Sequence, residues 1–171
     1  QSSTIKSELK YGVSYNIPGI DIDTTCLSFM TSFDIASKMM DGYQYKNIII
    51  VASEVASKGL NGNNFETATL FGDGAAAIIL SFDSDNKSSY IKGSTKTYSE
   101  GVFDTIIKGG GVKYYFKDHS YDPELHSFQM NGRKLLKLAK REMNNFTVDF
   151  FNDIDYSMDD VDIVVPHQAS K

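Results

Sequence analysis

The sequence predicts an α/β protein with a largely buried sheet, on three observations. Short β-branched runs such as Ile48-Ile49-Ile50-Val51 alternate with helical stretches of ten to fifteen residues, the pattern of strands layered with helices. The apolar runs at 47–52 and 75–80 lack the polar–apolar alternation of a half-exposed strand, so each reads as covered on both faces. The composition, 41% hydrophobic and 23% charged over 171 residues, suits one domain or a little more with a sizeable core.

Taken in order, residues 2–9 have weak helical character that stops at Gly12. After Pro18-Gly19, Ile20 to Ile22 is a short extended stretch ending in Asp23-Thr24-Thr25. Thr24 or Thr25 then supplies a capping oxygen to a helix over about Cys26 to Met40. Leu27, Phe29, Met30, Phe33, Ile35, Ala36, Met39 and Met40 surround most of that helix, which predicts deep burial, and Gly42 stops it. A central strand follows at 47–52, then a loop at 59–64. Phe71-Gly72-Asp73-Gly74 is a tight turn feeding a second buried strand through Leu80. Residues 84–87 form a turn, 88–97 a further strand, and 99–125 a mostly irregular stretch. Asn131-Gly132 precedes an amphipathic helix through about Asn144, with Leu135, Leu136, Leu138, Ala139 and Met143 on its core side. An acidic segment leads to a last strand, Val161 to Val165.

Several classes are disfavoured. A net charge of −5 argues against a general nucleic-acid binder. No apolar run approaches the ~18 residues of a membrane-spanning helix. The single cysteine cannot form an internal disulfide and favours a reducing compartment such as the cytoplasm. The three histidines and one cysteine have no metal-like spacing. Gly72-Asp73-Gly74 precedes a strand rather than a helix, the wrong order for a dinucleotide loop. The chain opens on Gln1 without a signal-like segment and stops at Lys171 just after a strand, and so reads as an internal piece of a longer protein.

Two residues stand out chemically. A thiol attacks as thiolate and needs help at neutral pH; a helix N-terminus offers partial positive charge and free N–H donors. Cys26 is placed for that help, and the same donors could hold an oxyanion. The alternative is a buried structural cysteine. His167 follows Pro166 at a strand end, where α/β proteins build their sites; the alternative is a histidine satisfied within a connection. His119 and His126, in or beside the irregular stretch, are read as structural. Arg133, Lys137 and Arg141 recur every four residues as a basic stripe, either a solvated helix face or a surface for an acidic partner.

Four segments together resemble the β-ketoacyl-acyl-carrier-protein synthase III family of thiolase-fold condensing enzymes. They are Asp23-Thr-Thr-Cys26-Leu-Ser-Phe29, Phe71-Gly-Asp-Gly-Ala-Ala-Ala77, Met130-Asn-Gly132 and Val165-Pro-His-Gln-Ala169. The resemblance implies a thiolase-like layered fold, incomplete at both ends, with residues 1–82 the latter part of its N-terminal half and 83–171 the first part of its C-terminal half. It implies a decarboxylative Claisen condensation in which Cys26 takes an acyl group from acyl-CoA. Malonyl-acyl carrier protein then loses CO2 and attacks the thioester, with His167 and an asparagine beyond this chain stabilising the enolate-like state. By the same matching, Phe71 and Met130 lie near the acyl pocket. Ser170 stands where the family has Asn, at a contact to the pantetheine arm. Lys137, flanked by Arg133 and Arg141, belongs to the helix that docks carrier protein. No metal or redox cofactor is implied, and the family is homodimeric; neither nucleic acid nor membrane is an expected partner. The piece alone is expected not to complete the condensation. Two other readings are a synthase-III-like acyltransferase of specialised metabolism and a non-catalytic interaction module with an inert Cys26.

Overall fold

The computed structural model describes residues 1–9, 17–85, 88–118 and 120–168. Gly12, His119 and Ser170 lie outside the described residues, as do two residues of the 84–87 turn. The chain divides into two compact units, Gln1–Glu54 with Ala75–Gly93, and Val55–Gly74 with Ser94–Lys171. Among the described residues, no helix is long and apolar enough to cross a membrane.

The first unit contains α1 (Ser2–Glu8), a 3-10 turn (Thr25–Leu27), α2 (Ser28–Met39) and β1 (Asn47–Glu54), with nearly all of β2 (Gly74–Ser81). The Ser2 N–H donates to Asp21 Oδ1 at 2.8 Å, tying α1 to the segment that leads into the 3-10 turn. α2 stops where Asp41 Oδ1 begins to collect backbone donors, accepting from Tyr43, Gln44 and Tyr45 at 2.9, 2.8 and 3.1 Å. Those three N–H groups, Tyr45 foremost, hold the Asp41 carboxyl below its usual range. Gly42 turns the chain with φ +70°, and a Cβ there would come within 2.7 Å of the Phe82 ring. The start of β1 lies beside the end of β2: Phe82 N–H donates to Lys46 O at 2.8 Å and Ser81 Oγ to Asn47 Oδ1 at 2.7 Å.

The α/β class holds, but the deep burial expected of this unit does not. α2 packs against β1, yet Ala36 is the one buried residue of α2 and Ile50 that of β1. A two-stranded sheet leaves each strand one open edge, and a single helix cannot cover both of its faces. Ile79 of β2 is accordingly 69% exposed. The strand expected over 88–97 is also absent. Tyr90 instead turns onto α2, where its ring packs against Phe33 at 5.8 Å and its hydroxyl donates to Asp34 at 2.5 Å. Burial and that bond push the Tyr90 phenol up to about 12.

The second unit carries α3 (Phe65–Ala68), β3 (Thr105–Ile106), α4 (Pro123–His126), β4 (Gln129–Met130) and α5 (Gly132–Phe151). Two 3-10 turns, Ala56–Gly59 and Ser99–Gly101, also precede α5, and the stretch read as irregular holds the second of them together with β3 and most of α4. β3 and β4 pair antiparallel, Thr105 opposite Met130 and Ile106 opposite Gln129. The pairing is secured on either side by Phe128 N–H to Gly59 O at 2.8 Å and Asn131 N–H to Asp104 O at 2.7 Å. α4 opens with Pro123 in its first turn while Asp122 accepts the Glu124 N–H at 2.9 Å, two strong N-terminal signals. α5 runs past Asn144 to Phe151: Phe146 and Phe150, four residues apart and both half-buried, carry its apolar face on from Leu138 before Asn152 caps it. The expected last strand is irregular instead. Among the described residues no strand pairs with Val161–Val165, and Val165 is 88% exposed.

Candidate active site

Cys26 is the middle residue of the Thr25–Leu27 turn, one turn ahead of α2, and its thiol is free and exposed. The buried structural alternative is therefore removed. The turn is built from short hydroxyl residues. Thr25 N–H donates to Asp23 Oδ1 at 2.9 Å, and Thr24 N–H to Ser28 Oγ at 3.0 Å. Ser28 Oγ in turn donates to Thr25 O at 2.7 Å, and the Thr24 and Thr31 hydroxyls meet at 2.9 Å. Neither Thr24 nor Leu27 caps through its side chain, so the expected threonine cap is replaced by Ser28 reaching back from inside the helix. Thr25 has φ +53°, the only non-glycine residue in the left-handed region among the described residues. Among them, no group accepts the Cys26 N–H.

His167 belongs to the second unit and is exposed, in the irregular segment after Pro166. Met130 ends β4 and lines an open cleft of about 390 Å³ with Glu66, Asn131, Gly132 and Arg133. Phe71 is half-buried and packs edge-on against Phe128 at 4.8 Å, directly before β4. Met130 and Arg133 thus share one cleft, with Phe71 anchored to the segment that feeds it. Among the described residues, no three His, Cys, Asp or Glu side chains cluster as a metal site.

Asp73, between the two glycines of the tight turn, has a defined task. Its carboxylate accepts the Ser57 N–H at 2.8 Å and the Ser57 hydroxyl at 2.7 Å. The Ser57 N–H and then its hydroxyl hold the Asp73 carboxyl below its usual range. Sequence reasoning missed Ser57, which no local pattern pairs with a residue sixteen positions on. It missed Ser28 as well, having placed the cap on Thr24 or Thr25.

The basic stripe of α5 is exposed, and its members differ. Arg141 pairs with Glu100, and with Glu142 at 2.5 Å, while Lys134 reaches Asp104 at 3.3 Å. Arg133 and Lys137 make no ion pair among the described residues, so their charge is available to a partner.

The model of the 3-oxoacyl-[acyl-carrier-protein (ACP)] synthase III family matches residues 20–101, which include the Cys26 turn and the Gly72-Asp73-Gly74 turn. Beta-ketoacyl-[acyl-carrier-protein] synthase III of Oceanobacillus iheyensis is 31% identical over 157 residues, covering 91% of this chain and 45% of the relative. That of Campylobacter fetus is 29% identical over 158 residues, covering 91% and 47%. The chain belongs to the β-ketoacyl-acyl-carrier-protein synthase III family. It spans about half the length of the synthase III relatives it matches. The fold agrees. The 3-oxoacyl-(acyl-carrier protein) synthase of Burkholderia xenovorans superposes with TM-score 0.67 at 15% identity, over 92% of this chain and 45% of that one. For the synthase III of Aquifex aeolicus the values are 0.63 and 23%, over 87% and 42%. Synthase III chains are thiolase-like, and the two units described above are the portion of that fold present here.

Proposed function

We propose that this chain carries the acyl-accepting cysteine and the decarboxylation histidine of a 3-oxoacyl-[acyl-carrier-protein] synthase III, which initiates fatty acid synthesis. The observation that carries the reading is Cys26 itself. It is the sole cysteine, exposed on a tight turn at the head of α2, within the segment that matches the family model.

The Cys26 thiolate attacks the carbonyl carbon of an acyl-CoA thioester; the carbonyl π electrons move to oxygen and return as CoA thiolate leaves. The unpartnered Cys26 N–H supports the transient oxyanion. Malonyl-acyl carrier protein then loses CO2, and His167 donates a hydrogen bond to the enolate-like oxygen that forms. The resulting carbanion attacks acyl-Cys26 and releases the thiolate, leaving a 3-oxoacyl group on the carrier protein. Phe71 and Met130 shape the acyl site, Ser170 contacts the pantetheine arm, and Lys137 with Arg133 and Arg141 receives the acidic carrier protein. Neither a metal nor a redox cofactor enters any step of this scheme. Residues 1–82 and 83–171 are parts of the two thiolase-like halves, in a cytoplasmic homodimer.

Incubation with acetyl-CoA followed by peptide mapping tests the reading. An acetyl adduct is expected on Cys26 and absent from Cys26→Ala. No adduct on the native chain, or one that persists in Cys26→Ala, overturns it.

A further inference from the structure

The Cys26 turn asks something unusual of the backbone. A β-branched residue at φ +53° is in a region that L residues other than Asn, Asp and Gly rarely occupy, at a cost of about 1–3 kcal/mol. Such a conformation persists only where neighbouring contacts hold it. The two bonds flanking Thr25 converge on one atom: Ser28 Oγ accepts from Thr24 N–H at 3.0 Å and donates to Thr25 O at 2.7 Å. The hydroxyl therefore uses its acceptor on the Asp23–Thr24 peptide and its donor on the Thr25–Cys26 peptide, one before and one after the Thr25 φ and ψ bonds, so that leaving the left-handed conformation breaks the bridge. Asp23 Oδ1 accepts the N–H of Thr25 itself at 2.9 Å, leaving Ser28 as the contact from the helix side.

Resting on the reading of Cys26 as the nucleophile, we propose that Ser28 is a positioning residue for it. Its hydroxyl clamps Thr24 N–H and Thr25 C=O, keeps Thr25 left-handed, and so fixes where the Cys26 thiol and N–H point. Ser28 touches neither substrate nor the reacting sulfur. Its effect is on how often the thiol and the oxyanion donor face the same acyl carbon. That is an orientation effect, felt in the acyl-transfer rate rather than in the binding of acyl-CoA.

The chain has one cysteine, so both acylation by acetyl-CoA and alkylation by iodoacetamide report on Cys26 alone. Ser28→Ala is expected to lower the maximal acylation rate about three- to tenfold, leaving the half-saturating acetyl-CoA concentration within about twofold. Iodoacetamide alkylation falls with it. Ser28→Thr, which keeps the hydroxyl, retains the rate, and so does Thr25→Gly, because glycine adopts the left-handed conformation without strain. A Ser28→Ala variant that acylates and alkylates as the native chain does, or that changes only half-saturation, overturns the proposal. Native acylation with unchanged Ser28→Ala kinetics sinks the clamp and leaves the nucleophile reading standing. A native chain that never acylates, but alkylates more slowly as Ser28→Ala, does the reverse. Amide exchange of the native chain tests the clamp without any variant: Thr24 N–H is expected to be protected, and an unprotected Thr24 amide overturns it.

Discussion

Asp73 uses both carboxylate oxygens on Ser57, one residue from each end of a turn that has no bulk of its own to hold it. The bonds need the ionised carboxylate, whose pKa is lowered from 3.8. A group depressed in the folded state stabilises it fully above its unfolded value and loses that contribution as pH falls through the folded value. The melting temperatures of the native chain and Asp73→Ala should therefore differ by a constant amount from pH 5 to pH 8 and converge below about pH 3.8. A gap that does not shrink as pH falls progressively below 3.8 would show that the carboxylate charge is not what holds the turn. At this scale the sequence was informative where residue type alone carries chemistry. A lone thiol before a helix and a histidine after Val-Val-Pro were visible as Cys26 and His167. Ser57 and Ser28 were not, because each acts through a turn whose geometry exists only after folding.

α5 was read correctly at its Asn-Gly start, a local signal, but it runs beyond Asn144. Of its expected core side, Leu135 and Leu138 are half-buried while Leu136, Ala139 and Met143 are exposed. Asn131 Oδ1 accepts the Lys134 N–H at 3.2 Å, and Asn131→Ala should cost about 1 kcal/mol, read from urea unfolding. The stripe on the same helix divides by pairing state. Lys137→Glu is expected to weaken carrier-protein binding about tenfold at low salt. Arg141→Glu should weaken it less, its charge already being balanced by Glu100 and Glu142. Equal losses in calorimetric titration would remove the distinction. Strand expectations at 88–97 and Val161–Val165 failed for one physical reason. β-branched composition says that a segment can join a sheet, whereas a strand exists only when a partner pairs with it. Tyr90 found α2 instead, and Val161–Val165 has no described partner.

Across the molecule, the family and the α/β class were legible because both rest on spaced motifs, while the degree of burial was not, because it depends on what covers each face. Ile49, Ile79 and Ile163 are each more than half exposed. Apolar surface left open in this way attracts hydrophobic dyes and other copies of the chain. Strong dye fluorescence and concentration-dependent sedimentation are expected, both reduced in Ile79→Lys and Ile163→Lys. Unchanged sedimentation in those variants would locate the association elsewhere. The exposed thiol carries one more consequence. With no second cysteine in the chain to resolve it, Cys26 oxidised to a sulfenic acid has no internal route to a disulfide. Its fates are a bridge to another molecule or over-oxidation, so peroxide should silence the chain stepwise, recoverable by thiols at first and then not at all.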